Sequence, residues 1–171
     1  MANVSSAFGT VRVEAENFEQ AKKITQIIHS ITSGFGYYTH FNLDDISEVN
    51  GALECSFYGD GRWDFQNNIQ NMGYWIENSS EDCKDRIKEL EKHDFKLTFD
   101  YTDEEGGNPF IVQVVASIAH KKDTPLESMV YELEEHEDFD YNVENLCNIC
   151  GYDKDYALEL CGGEDEESEV A

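Results

Sequence analysis

Cys147-Asn-Ile-Cys150 places two thiols at C-x-x-C spacing, with His136 before the pair and Cys161 after it. Three thiols and an imidazole are the donor set of a Cys3His zinc site. The spacing is irregular, however, and Cys147, Cys150 and Leu146 also suit one buried helix stripe, where thiols act as small hydrophobes. A thioredoxin-like role asks for a thiolate in positive surroundings, and here the pair follows acid. The zinc candidates are therefore His136, Cys147, Cys150 and Cys161, with packed thiols as the competing reading. Cys55 and Cys83 fall on apolar faces.

Other reactive sets are incomplete. Gly59-Asp-Gly61 is followed by neither Gly-Lys-Ser/Thr nor a third glycine, so it is no phosphate loop. The histidines at 29, 40, 93, 120 and 136 form no HxH, HExxH or HxT pair, and no G-x-S-x-G occurs. Asp103, Glu104 and Glu105 can bind a cation, but they read as a solvated acid run in a hairpin turn. No catalytic set and no cofactor motif emerge, so the chain is read as a non-enzyme.

The charge is the stronger signal. Among 171 residues, 37 acids face 12 Lys and Arg, a formal net charge of −25. Residues 131–171 hold 15 of those acids and one base, Lys154. Such a surface repels phosphate, so direct binding of DNA or RNA is not expected. Basic proteins or cations are the electrostatic partners. No apolar run approaches the ~20 residues of a membrane span. MANVSSAFGT has neither a basic nor an apolar leader region, and the odd cysteine count suits free thiols in a reducing cytosol. A cytoplasmic location is expected.

The acids that best suit partner binding are Glu132, Glu134, Glu135, Glu137, Asp138 and Asp140, followed by Glu144, Asp153 and Asp155. Apolar residues alternate with the first group, so the carboxylates are held to a body instead of trailing in solvent. A fixed array of carboxylates can imitate phosphates and compete for a Lys/Arg groove. Tyr131, Phe139, Tyr141 and Tyr152 would supply aromatic anchors.

The elements that must hold these residues follow from periodicity. Strands are expected at 9–15, 37–43, 52–58, 95–101, 109–120 and 128–133. Gly59-Asp-Gly61 turns the chain, and 103–108 closes a hairpin. Helices are expected from Asn17 to Ser33, from Phe65 to Ile76, from Ser79/Ser80 along the stripe Cys83, Ile87 and Leu90, and at 142–150 and 154–161. The fold class is α+β: a ferredoxin-like mixed or antiparallel sheet with helices on one face, plus a small acidic helical C-terminal extension. Residues 1–130 would form the ferredoxin-like domain, 131–162 the extension packed on it, and 163–171 a disordered acidic tail. An exposed sheet edge could pair two copies into a homodimer.

The stretch Phe57-Tyr-Gly-Asp-Gly-Arg-Trp-Asp-Phe-Gln-Asn-Asn68 runs from a strand through G-x-G-R-W into a helix. Together with the acidic strand end Phe99-Asp-Tyr-Thr-Asp-Glu-Glu-Gly-Gly107, it resembles an uncharacterised family of ferredoxin-like domains from phages, plasmids and other mobile elements. The resemblance covers about residues 9–120 and leaves the last 50 residues unmatched. It implies a fold and a mobile-element setting, and it carries no catalytic residues. Read from the residues alone, Trp63 and Phe65 plug the core, and Arg62 pairs with Asp60 or Glu104.

Charge and setting together suggest a non-enzymatic inhibitor of anti-CRISPR or anti-restriction type. It would act as a nucleic-acid mimic in the basic groove of a host defence complex. The alternatives are a small zinc protein or enzyme built on Cys147, Cys150 and Cys161, or a soluble scaffold or regulatory subunit.

Overall fold

The computed structural model describes residues 4–33, 39–62, 64–106 and 109–162; the side chain of Arg62 lies outside this description. Seven strands form one antiparallel sheet: β1 (Val4–Glu14), β2 (Thr39–Phe41), β3 (Ser47–Val49), β4 (Ala52–Arg62), β5 (Phe95–Glu105), β6 (Phe110–His120) and β7 (Val130–Phe139). Their order is β2-β4-β1-β5-β6-β7, with β3 also paired to β4. An α+β class is therefore established.

Alternation sets the faces of this sheet. Val11 and Val13 of β1, Leu53, Cys55 and Phe57 of β4, Leu97, Phe99 and Tyr101 of β5, and Val112, Val114, Ala116 and Ile118 of β6 are all buried on one face. Four helices cover it: α1 (Phe18–Thr32), α2 (Phe65–Gln70), α3 (Met72–Glu77) and α4 (Lys84–Leu90). Asn17 caps α1 by accepting from the Gln20 N–H at 3.0 Å, and Ala21, Ile24, Ile28 and Ile31 are its buried stripe. Asp64 caps α2 in the same way, through the Asn67 N–H at 2.8 Å.

Two short helices, α5 (Val143–Asn148) and α6 (Lys154–Leu160), pack around Ile111 with Leu146, Cys150 and Ala157. Ile111 is out of phase with the inward series at 112, 114, 116 and 118. This second cluster therefore lies on the opposite face of the sheet, and helices cover both faces instead of one.

Several boundaries differ from the expected ones. The Gly59-Asp-Gly61 turn is strand: Gly59 pairs with Ala7 and Gly61 with Ser5. Gly61 does not have positive φ. Its need is close approach, because a Cβ there would sit 2.4 Å from the backbone carbonyl of Asp64 as the chain folds back to cap α2. The long helix expected from Phe65 breaks at Asn71 into α2 and α3. Gly73 of α3 lies against a 3-10 turn at Leu126–Ser128, where a Cβ would meet the Leu126 carbonyl oxygen at 2.0 Å.

The hairpin loop starts later than expected. Asp103, Glu104 and Glu105 continue β5, paired with Val112, Ile111 and Phe110. Asp103 and Glu105 are buried, so the solvated acid run is corrected. Residues 130–139 extend the sheet, so the stretch expected to begin a helical extension is largely strand. β3 was not expected at all. Phe65 is the expected plug, stacked on Phe57 at 5.3 Å between ring centroids. Trp63, the Arg62 pairing and the tail 163–171 lie outside the described residues.

Candidate protein interface

β7 forms one edge of the sheet, and β6 is its only paired neighbour among the described residues. Its register contains one bulge. Ala116 faces Leu133, the preceding Val115 faces Glu135, and Glu134 is the extra residue between them. The bulge reverses the phase of the strand. Before it, Tyr131 and Leu133 share the face covered by α1–α4 with Ile118 and Ala116. After it, His136 and Asp138 share that face with Val114 and Val112.

Glu132, Glu135 and Glu137 consequently take the other face, opposite Ser117, Val115 and Gln113. Glu134 joins them, because its carboxylate reaches Lys96 Nζ at 3.0 Å and Lys96 projects from that face of β5. An unbroken alternation would have split the four glutamates between the faces. The bulge collects them on one.

Among the described side chains, the same face carries Glu14, Glu54 and Asp100, and the cations Arg12 and Lys96. Both cations are engaged within the fold. Arg12 meets Glu54 at 2.7 Å and Glu14 at 3.6 Å, and Lys96 meets Glu134. The Lys96 bond, helped by the Ser117 hydroxyl, holds the Glu134 carboxyl below its ordinary range. Among the described residues no ion pair engages Glu132, Glu135 or Glu137.

The remaining candidates divide into exposed and committed groups. Asp138 is exposed and bonded to His136 Nε2 at 3.2 Å. The backbone carbonyl of the exposed Asp140 accepts from Asn145 at 2.8 Å. Glu144 is an exposed residue in the first turn of α5. Asp153 caps α6, taking the Tyr156 N–H at 3.0 Å, and Asp155 follows in its first turn. These three are positioned to complement helix ends. The aromatics are spent on the fold. Tyr131 packs against the main core, and Phe139, Tyr141 and Tyr152 pack on the second cluster. Exposed apolar surface at the edge comes from Val130 and Leu133, with Tyr74 and Trp75 out on α3.

The expected zinc set is not assembled. His136 faces the α1–α4 side of the sheet, whereas Cys147 and Cys150 pack on the α5–α6 side. Among the described residues no three His, Cys, Asp or Glu side chains group as a metal site. Burial, and then the charge of Glu104, pushes the Cys150 thiol up to about 11, away from the thiolate a metal or redox partner needs. Cys55 is pushed up to about 12 by burial and by Asp45. Cys83 is more than a hydrophobe: its sulfur takes an Arg86 N–H at 3.1 Å.

The largest departure from expectation is a pocket on the face covered by α1–α4, beside β7. Asp64, Tyr101, Asp103, His136 and Asp138 line it. Sequence reading missed it because its carboxylates come from a helix cap and two strands far apart in the chain. Comparison with protein families, curated proteins and solved structures returned no match.

Proposed function

We propose that the chain is a non-enzymatic inhibitor that occupies the basic nucleic-acid-binding groove of another protein. The bulge that collects Glu132, Glu134, Glu135 and Glu137 on one sheet face carries this reading. Residues 132–137 hold four acids on that face. They extend over about 20 Å of strand, about one charge per 5 Å. A single nucleic-acid strand carries one charge per about 3.4 Å and a duplex one per about 1.7 Å. The array is therefore nearer in density to a single strand, and its carboxylates are held by a sheet backbone.

The strand order β2-β4-β1-β5, with α1 and α2–α4 as crossovers, supports a ferredoxin-like reading of the first four principal strands. With the G-x-G-R-W and D-E-E-G-G stretches, it supports a phage or mobile-element setting in a host cytosol. There the target would be a defence complex of CRISPR or restriction type. Capture of such a complex from a bacterial lysate, reversed by competing DNA and lost in a Glu132→Gln/Glu135→Gln/Glu137→Gln variant, is the expected result. Undiminished capture by that variant would remove the mimicry reading.

A further inference from the structure

We propose that the sheet face carrying the four glutamates docks a basic α-helix of the target protein. The helix would lie across the strands, in the gap between α5 and α6 on one side and the Glu134–Lys96 pair on the other. The inference rests on the inhibitor reading and names the element of the target that this face takes.

The gap follows from the strand register. Among the described residues, α5 and α6 cover this face near Ile111, where Phe8 and Phe139 join their cluster. At Ser117, further along β6, the Glu134 carboxylate is held by the Ser117 hydroxyl and by Lys96. Ile111 and Ser117 stand about 20 Å apart along the strand. A helix with its side chains is about 10–12 Å across, so the gap admits one. Between these limits Thr10, Asp100, Val115 and Glu135 form one cross-strand row on β1, β5, β6 and β7. Thr10, Asp100 and Glu135 are exposed, and Val115 is half-buried. The surface is concave there: a depression of about 400 Å³ has Asp100, Gln113, Val115, Glu135 and Glu137 in its lining, and no Lys or Arg.

Charge and spacing select the occupant. Arg12 is committed to Glu54 and Glu14, and Lys96 to Glu134, so Asp100, Glu135 and Glu137 face the gap without a cation of their own among the described ion pairs. Asp100 and Glu135 lie two strand spacings apart, about 10 Å. Residues i and i+7 of a helix share one face about 10.5 Å apart. An extended chain places same-side residues about 7 or 14 Å apart and matches neither acid pair position. Lys or Arg at i and i+7 of a helix therefore meets both carboxylates, with the backbone passing over the small Val115 and Thr10 side chains.

The test is NMR titration of the full isotope-labelled chain, at constant ionic strength, with two peptides of one composition and about 16 residues, long enough to hold a helix. One carries arginines at i, i+4, i+7 and i+11; the other distributes them around the helix. Saturable shifts are expected at the Thr10, Asp100, Val115 and Glu135 amides, and the first peptide should bind about tenfold more tightly. Val115→Arg should weaken that binding about tenfold, with amide dispersion retained. Equal binding of the two peptides, equal binding of the first peptide broken by proline, or binding that ignores Val115→Arg would overturn the proposal. Shifts of the same amides with concentration of the free chain would assign the face to a second copy and also overturn it. Lysate capture separates this inference from the reading it rests on. Capture lost in the Glu132→Gln/Glu135→Gln/Glu137→Gln variant but undiminished in Val115→Arg would leave the inhibitor reading and remove the docked helix.

Discussion

Glu134 Oε1 lies 3.0 Å from Lys96 Nζ, across the β6 strand that separates them. The bond ties the extra residue of the β7 bulge to the sheet face that also carries α5 and α6. It leaves Glu132, Glu135 and Glu137 of β7 without an ion pair among the described residues. Exposed ion pairs contribute at most about 1 kcal/mol, so this contact orients charge more than it stabilises the chain.

Deleting Glu134 should therefore be tolerated. Leu133 and Glu135 would remain opposite Ala116 and Val115, and the strand would become regular. The loss in unfolding free energy is expected to stay within about 1 kcal/mol, measured by urea denaturation. A collapse of the fold would show that the bulge itself is required.

Gly73→Ala separates local propensity from packing. Alanine in a helix interior gains about 1 kcal/mol over glycine. Here its Cβ would collide with the Leu126 carbonyl at 2.0 Å, so a net loss of about 2 kcal/mol or more is expected. Gly61→Ala should be destabilising for the same reason, against the Asp64 backbone. Stabilisation by either change would contradict the close approaches.

Asp103 makes stability depend on pH. Burial pushes its carboxyl up to about 7, opposed by the Phe65 N–H and Ser5 hydroxyl and reinforced by the charges of Asp64 and Glu104. Tyr101, His136 and Asp138 are the other titratable groups of the cavity. A raised folded-state value means that the protonated form is favoured by folding. Its contribution is complete below pH ~4 and is lost as pH rises through about 7. Asp103→Asn should flatten that fall, by up to about 4 kcal/mol between pH 4 and pH 8, in denaturation curves at several pH values. An unchanged slope would show that Asp103 is ionised at no cost.

The fold's larger elements were legible in the sequence. α1 is marked by Asn17 and an isoleucine stripe, and β5 and β6 by long alternation, because local pattern and tertiary burial agree there. The breaks were not. Gly61 and Gly73 look like turn and helix-weakening residues, yet each is demanded by a backbone distant in the sequence or folded back upon it. Asp103 reads as solvated because acids in a run usually are; only the docking of α2 buries it. The acids of the candidate interface could be named, but their common face could not, since a one-residue bulge leaves no mark in composition. The cysteine set failed for a related reason: proximity along the chain says nothing about which side of a sheet a residue takes.

The central claim is tested most directly by salt-dependent capture. Tagged protein, and its Glu132→Gln/Glu135→Gln/Glu137→Gln variant, would be incubated with a bacterial lysate containing defence complexes and washed at rising salt. The account predicts that the parent retains a nucleic-acid-binding complex, that salt or competing DNA releases it, and that the variant does not retain it. Retention that ignores salt and DNA, or equal retention by the variant, would contradict the account.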